Sequence, residues 1–503
     1  MAKFFNKPHY VTPAYVEKLA KVTQSLYLSK AYEALLPKAM HLRECASFFP
    51  QFTAFILTSH IWTIKALQAL GRDTLKEAIA TYSKDAHKLK HPAHIAQAAQ
   101  FRLEYSIKHF LFEEALDALD ETLEVLKGQP QCAGIAIQAA EIEIACTHFD
   151  AARKRLDQLS QDFKDDNATL CVSNRLQYAI AYTTDETEKA NDYLSKYFKN
   201  LDSCSKDSPE LMEAVALKAN LAHRQGNVIS AKASRNFLKE VYDSADPVDE
   251  NALNNAIQLA ELEFYAGNIQ SALSQLDVLS DIVFTNWPAQ NAHICRTLAL
   301  SRCQLSLDVD TTGFSPETCL TRLHSVTFPS LPTEDVCAKL IECQTAILRK
   351  KFTGIEERLT DLKNTCQFQN LNVCHSIIDV TRAELYYAVE RFDEAFELIL
   401  KAEENFERRM DLVSAARARS RRIQIHFNDI ELENRLHQEA THFLETGHRE
   451  IALTIFLAIA NARLKRHDSA GTRKALELAE PLIVKGFMTQ KEVKYQRLLN
   501  ELS

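Results

Sequence analysis

Apolar residues recur three and four apart along almost the whole chain, in segments long enough for several helical turns. Strict one-by-one alternation, the mark of a half-buried strand, is scarce. One stretch shows the unit from which the chain is built: Ala383-Glu-Leu-Tyr-Tyr-Ala-Val-Glu-Arg-Phe-Asp-Glu-Ala395-Phe-Glu-Leu-Ile-Leu-Lys-Ala402. A helix-length segment carries a small residue. A short polar turn follows, then an aromatic residue, then Ala, then a second amphipathic helix. Leu259–Leu273 and Ala219–Ala231 repeat it, and weaker copies surround Phe149 and Phe112.

The spacing tests the repeat. Second-helix alanines fall at Ala78, Ala115, Ala152, Ala190, Ala231 and Ala272, in steps of 37, 37, 38, 41 and 41. Ala272 to Ala395 is 123 residues, three further steps of 41. Small residues are needed where helix axes cross closely. One hairpin cannot bury its own apolar face, so hairpins of this length must stack. The pattern predicts first helices over 50–70, 92–108, 130–146, 167–183, 208–225, 249–266, 287–307, 333–350, 370–390, 411–427 and 449–465. It adds an opening hairpin over 13–47 and a closing helix over 489–501. Pro13, Pro50, Pro92, Pro130, Pro209, Pro247, Pro288 and Pro481 stand near expected helix starts, where the missing N–H costs least. Turn chemistry is densest between Asp308 and Asp335, which suits either one irregular repeat inside a single continuous helical-repeat domain, the preferred reading, or a soft boundary between 1–307 and 336–503.

Residues Ala383 to Ala402 resemble the tetratricopeptide repeat: the small residue early in the first helix, the aromatic before the second-helix Ala, and the closing Ala match its pattern. The repeat is longer than that family's, lacks the first-helix Trp and final Pro, and has Arg382 at the usual Leu position. Long degenerate repeats are also similar to the helical region of MalT-type regulators. The resemblance implies a right-handed superhelix whose first helices line a concave groove for an extended peptide or a helix. Carried onto this chain, it places Val380, Glu384 and Tyr387 in the groove, with Ile257, Glu261 and Phe264, and Ala216, Asn220 and His223, as their equivalents. Interhelix packing would suit the same residues equally well.

Composition narrows the function. Only 10 of 503 residues are Gly, about 2% where about 7% is usual. Phosphate loops and dinucleotide folds consume glycine at fixed points, and neither GxxxxGK[ST] nor GxGxxG occurs. HExxH and GxSxG are also missing. A formal charge of −8 argues against nucleic-acid binding by bulk charge. No secretory signal or 18-residue apolar run is seen, so the reading is cytoplasmic, with the 12 cysteines reduced.

Several local patterns imitate sites. Asp308-Val-Asp310-Thr-Thr-Gly313 opens like a calcium loop, but Cys319 stands where the bidentate Glu belongs. His87, His91 and His94 are close, yet no Cys or carboxylate completes a metal set. Arginines cluster at Arg408, Arg409, Arg417, Arg419, Arg421 and Arg422. Residues 401–503 hold 18 Lys+Arg and 15 Asp+Glu, net +3, leaving −11 for the first 400. Arg417 and Arg421 share a helix face, and with Arg422 form a candidate anion patch. A solvated face paired with Glu403, Glu404 and Glu407 is the plainer explanation.

The expected protein is therefore an all-α solenoid of about a dozen stacked hairpins, with no catalytic residue, metal or cofactor. Its expected role is a scaffold, adaptor or sensor holding a protein or peptide in the groove. The alternative is a MalT-like module that senses a small ligand and acts through a partner. Neither membrane nor direct nucleic-acid binding is expected.

Overall fold

The computed structural model describes residues 11–109, 111–125, 127–128, 132–201, 209–242, 250–286, 293–309, 313–326, 330–484 and 489–502. Among these the chain forms 25 α-helices and no β-strand. It divides into two compact units, Met1–Phe163 and Lys164–Ser503.

The first unit holds four hairpins: α1 (Pro13–Leu28) with α2 (Tyr32–Ala46), α3 (Thr53–Leu70) with α4 (Leu75–Lys88), α5 (Pro92–Lys108) with α6 (Phe112–Val125), and α7 (Cys132–Ala145) with α8 (Phe149–Asp162). Each helix packs chiefly on the ones before and after it.

The second unit holds eight: α9 (Asn167–Thr183) with α10 (Thr187–Leu201), α11 (Pro209–Arg224) with α12 (Val228–Tyr242), α13 (Glu250–Tyr265) with α14 (Ile269–Asn286), and α15 (His293–Ser306) with α16 (Pro316–Ser325). Then come α17 (Pro332–Leu348) with α18 (Ile355–Phe368), α19 (Cys374–Ala388) with α20 (Phe392–Arg408), α21 (Leu412–Ile425) with α22 (Ile430–Glu445), and α23 (Arg449–Lys465) with α24 (Ser469–Ala479). The single helix α25 (Thr489–Leu502) closes the series. The odd-numbered helices stack on one another here, as α13 on α15, α15 on α17 and α21 on α23. In addition α11 meets α21 and α13 meets α23, so the inner layer touches itself across the unit.

The alanine marks sit where the hairpins pinch. Ala115, Ala152, Ala231, Ala272 and Ala395 are fully buried, Ala190 nearly so and Ala78 half-buried. Hairpin turns need one residue in the left-handed region. Lys30, Lys90, Asp185, Lys350, Glu390 and Met410 take it at φ between 50° and 65°. That explains how so many turns coexist with so little glycine. Pro13, Pro92 and Pro209 open α1, α5 and α11, and Pro50 opens the 3-10 turn before α3. Pro481 instead lies in the 3-10 turn that ends α24, since a proline there can stop a helix as well as start one. Pro37 is inside α2. Pro130, Pro247 and Pro288 lie outside the described residues. The division into units falls after Phe163, and the 308–335 stretch, with α16 in it, lies inside the second unit.

Candidate functional site

The inner layer of the second unit is where the sequence placed its groove. Its first part is occupied by the chain itself. Thr446, in the turn after α22, donates its hydroxyl to the carbonyl of Gly226 at 2.9 Å and accepts at its own carbonyl from the Ile229 N–H at 3.1 Å. Gly226 takes φ +77°, and a Cβ there would sit 2.2 Å from Phe443 Cε1. Only glycine fits both the turn and the approach. At a second point the Val373 N–H donates to Thr183 O at 3.0 Å and Asn372 Nδ2 to Thr184 O at 3.1 Å. Arg408 Nη2 reaches Asp185 Oδ2 at 2.6 Å.

A buried charge cluster lies behind this seam. Glu450, at the start of α23, has 1% of its side chain exposed and accepts from Arg417 Nη2 at 2.6 Å and from Lys491 of α25. Lys491 also lies 3.5 Å from Asp308. Burial alone would raise the Glu450 carboxyl, but Arg417 and Lys491 hold it well below the usual carboxylate range. The His223 ring stacks on His448 at 6.0 Å between centroids, and Tyr265 packs beside both, at 4.9 and 5.2 Å. Burial pushes His223 down to about 4 and His448 to about 3, so both are neutral near pH 7.

The expected groove residues therefore have different surroundings. Ile257 and Phe264 are interior side chains, 1% and 0% exposed. Glu261 lies near Ser301 and Arg235, and burial raises its pKa. Asn220 accepts from Arg235 Nη2 at 2.7 Å and is otherwise exposed, while Ala216 gives its carbonyl to the same guanidinium. On α13 the residue that meets the facing helices is Tyr265, one position after Phe264. A helix advances 100° per residue, so a one-residue error in repeat phase moves a side chain from the groove to the core.

On α19 the surface stays open. Val380, Glu384 and Tyr387 are all half-buried. Glu384 Oε1 accepts from Arg421 Nη2 at 3.0 Å, and the same guanidinium lies 5.2 Å from the Tyr387 ring centre. A groove candidate and a patch candidate thus meet at one place. The other two patch arginines go elsewhere: Arg417 to Glu450, and Arg422 Nε to Glu403 Oε2 at 3.2 Å. Arg419, 2% exposed at its side chain, is caged by Glu403, Glu407 and Glu439 at 2.6–3.4 Å, so it pairs with glutamates as the plainer reading had it but is buried, not solvated.

Sequence reasoning passed over Lys465 and Lys494, which reach the same spot from α23 and α25. Lys465 Nζ donates to Gln424 O at 2.8 Å, and Lys494 Nζ lies 3.3 Å from Gln424 Oε1. Nothing local marks them, since isolated lysines near helix ends are common.

The imitated sites resolve into ordinary contacts where they are described. His87 Nε2 pairs with Glu121 at 2.7 Å, and Tyr82 Oη lies 2.5 Å from His94 Nδ1. Asp308 pairs with Lys491, and Cys319 is buried, while Asp310 lies outside the described residues. Among the described residues no group of three or more His, Cys, Asp and Glu is placed to hold a metal ion. No helix among them is long and apolar enough to cross a membrane.

A partly open hollow lies at the Asp185 end of the seam, with a volume of about 210 Å³. Tyr178, Tyr182, Leu194, Leu221 and Met410 supply its apolar wall. Asp185 Oδ1 and Thr187 Oγ1, both on its lining, are buried without a hydrogen bond, Arg409 Nη1 standing 3.7 Å from the former.

The sequence matches no protein-family model and no curated protein. Solved structures align with the chain over much of its length at low identity. One is a Rap protein complexed with competence and sporulation factor: 12% identity, 74% of this chain and 91% of that one covered, TM-score 0.34. Another is in the APC/C hetero-tetramer Cut9–Hcn1: 11% identity, 96% of both chains covered, TM-score 0.46.

Proposed function

We propose that this chain is a non-catalytic, cytoplasmic interaction scaffold that holds a protein or peptide partner against the half-open surface that α19 forms with the Arg421 end of α21. One observation carries the reading. The inner faces of α11 and α13 are closed by the chain's own seam, whereas Val380, Glu384, Tyr387 and Arg421 line up half-open on two helices. Such a surface is preformed on stacked helices, so little ordering entropy opposes binding. Aromatic, carboxylate and guanidinium groups side by side suit an extended peptide. The test is affinity capture from source-cell lysate with wild type beside Glu384→Lys/Tyr387→Ala. A stoichiometric protein lost in the double variant supports the scaffold. Equal capture by both, or by neither, sinks this surface as the docking site.

The hollow at Asp185 favours a second reading, the small-ligand sensor of MalT-like type acting through a partner. Its two orphaned oxygens offer an acceptor and a hydroxyl beside two tyrosines. A ligand filling it would bear on the contact between Asp185 and Arg408, and so on the seam. A metabolite panel read by thermal shift tests it, because a ligand bound only by the folded state raises the midpoint. Loss of that rise in Thr187→Val would place the ligand in the hollow, and retention would place it elsewhere.

A further inference from the structure

Three cations from three helices converge on one residue, Gln424, beside the half-open surface of α19 and α21. Arg421 Nη1 and Lys494 Nζ lie 3.5 and 3.3 Å from Gln424 Oε1, and Lys465 Nζ lies 2.8 Å from the Gln424 carbonyl oxygen. Gln424 itself is 6% exposed. Among the described residues, one carboxylate pairs with them, Glu384 on Arg421. Nearby cations outside the group have their own partners: Lys491 holds Glu450 and Asp308, and Arg497 Nε lies 3.6 Å from Glu501. Arg421, Lys465, Lys494 and Glu384 together carry a net charge of +2 when Lys494 is protonated.

Elsewhere in this unit Arg419 and Arg417 are met by carboxylates, whereas Arg235 is held by Asn220, Asn255 and the Ala216 carbonyl. Here the chain offers Lys494 a neutral amide oxygen. A partly desolvated cation without a counter-charge is costly. Burial and the neighbouring Arg421, Arg497, Lys491 and Lys465 push the Lys494 amine down to about 7. The repulsion within the cluster is thus left for something outside the chain to relieve.

We infer that Arg421, Lys465 and Lys494 form a binding site for a phosphomonoester dianion carried by the partner that lies on this surface. Charge and donor count favour phosphate over a single carboxylate. A phosphomonoester brings a charge of about −1.5 to −2 and three acceptor oxygens, which match the +2 and the three converging donor groups. The guanidinium supplies a planar fork, and the two ammonium groups supply point charges from the other sides. The cluster is a single point and not a stripe, on a chain whose net charge is −8, so a nucleic-acid backbone does not fit it. The inference rests on the scaffold reading only for the source of the phosphate.

O-phosphoserine, inorganic phosphate and acetate are titrated into the full chain by calorimetry and ³¹P NMR at fixed ionic strength. Wild type is expected to bind both phosphates at least tenfold more tightly than acetate. Lys494→Gln and Arg421→Gln should each weaken phosphate binding about tenfold or more. Far-UV circular dichroism verifies that each variant is folded, and Lys465→Gln provides a third, more exposed variant. Equal affinity for phosphate and carboxylate, or unchanged phosphate binding in every folded variant, overturns the site. Capture of a partner is then repeated after phosphatase treatment of the lysate. A partner that is lost on dephosphorylation supports a phosphorylated side chain as the source. Phosphate binding without any captured partner keeps the site, assigns it to a free phosphate, and counts against the scaffold. A partner captured equally after dephosphorylation and by Lys494→Gln keeps the scaffold and overturns the phosphate link.

Discussion

The two units spend buried polar groups in opposite ways. In the first, polar chains tie helices that are adjacent in sequence. Arg43 Nη1 lies 3.2 Å from His60 Nδ1, and His60 Nε2 lies 2.9 Å from Asp85, joining α2, α3 and α4. Arg155 of α8 likewise holds Glu143 of α7 and Asp120 of α6. In the second, such neighbour ties are joined by polar contacts between helices far apart in sequence: Thr446 to Gly226, Arg408 to Asp185, and Lys491 to Asp308. A stack held only by neighbours behaves as a one-dimensional array, in which stability is a sum of repeat and interface terms. Contacts between distant repeats break that additivity, so the second unit should open as a larger cooperative block.

The largest expected effect comes from the charge behind the seam. Glu450→Gln leaves Arg417 and Lys491 facing a neutral group in a buried place and should destabilise the second unit by about 3–5 kcal/mol. Glu143→Gln in the first unit should cost only about 1–2 kcal/mol, because Arg155 keeps Asp120 and stays partly solvated. Native-state hydrogen exchange, followed separately over α3–α8 and α11–α23, measures both. Similar losses would erase the contrast between the units.

Acid should separate the units next. His223 and His448 are depressed in the folded state to about 4 and 3 from an ordinary 6.5. The unfolded chain therefore binds more protons between pH 6.5 and 4, and stability present above pH 6.5 is lost as pH falls through that window. At about 1.4 kcal/mol per pKa unit, going from pH 7 to 5 should cost about 2 kcal/mol for each ring. His293, raised by its hydrogen bond to Glu334, works the other way. In the first unit burial lowers His60, but Asp85 offsets part of that. Exchange at α11 and α23 should accelerate before exchange at α3. The reverse order would show that the seam histidines do not control opening.

A glycine pair sharpens the same comparison. Gly71 and Gly226 both end first helices at positive φ. A Cβ on Gly71 meets nothing within 4 Å, whereas one on Gly226 strikes Phe443. Gly71→Ala should cost about 1–2 kcal/mol of backbone strain. Gly226→Ala should cost about 2–4 kcal/mol, since overpacking adds about 1–3 kcal/mol. Chemical denaturation of each variant reads the difference, and equal costs would mean that Phe443 moves aside freely. The smallest effect belongs to an exposed pair: Arg72→Ala, which removes a 3.0 Å contact with Glu33, should change stability by less than about 0.5 kcal/mol.

Much of the fold could be read from residue periods. Ala115, Ala152, Ala231 and Ala272 were marked by spacing alone and lie in the helix crossings. The expected first helix over 92–108 is α5, and the one over 449–465 is α23. The site was legible only in part. Glu384, Tyr387 and Arg421 were named and do meet. Lys465 and Lys494 were not, because their proximity to Arg421 depends on how the last helices stack. Phe264 was chosen where Tyr265 faces inward, a phase error that an irregular repeat length invites.

The sequence by itself determined the helical hairpins, their spacing and their small-residue crossings, because these depend on contacts between residues near in the chain. Tertiary structure alone decided that the second unit touches itself, that Gly226 must stay a glycine beneath Phe443, and that Arg421, Lys465 and Lys494 share Gln424. Those outcomes rest on small angular offsets summed over many stacked repeats. No local pattern of residues records such a sum.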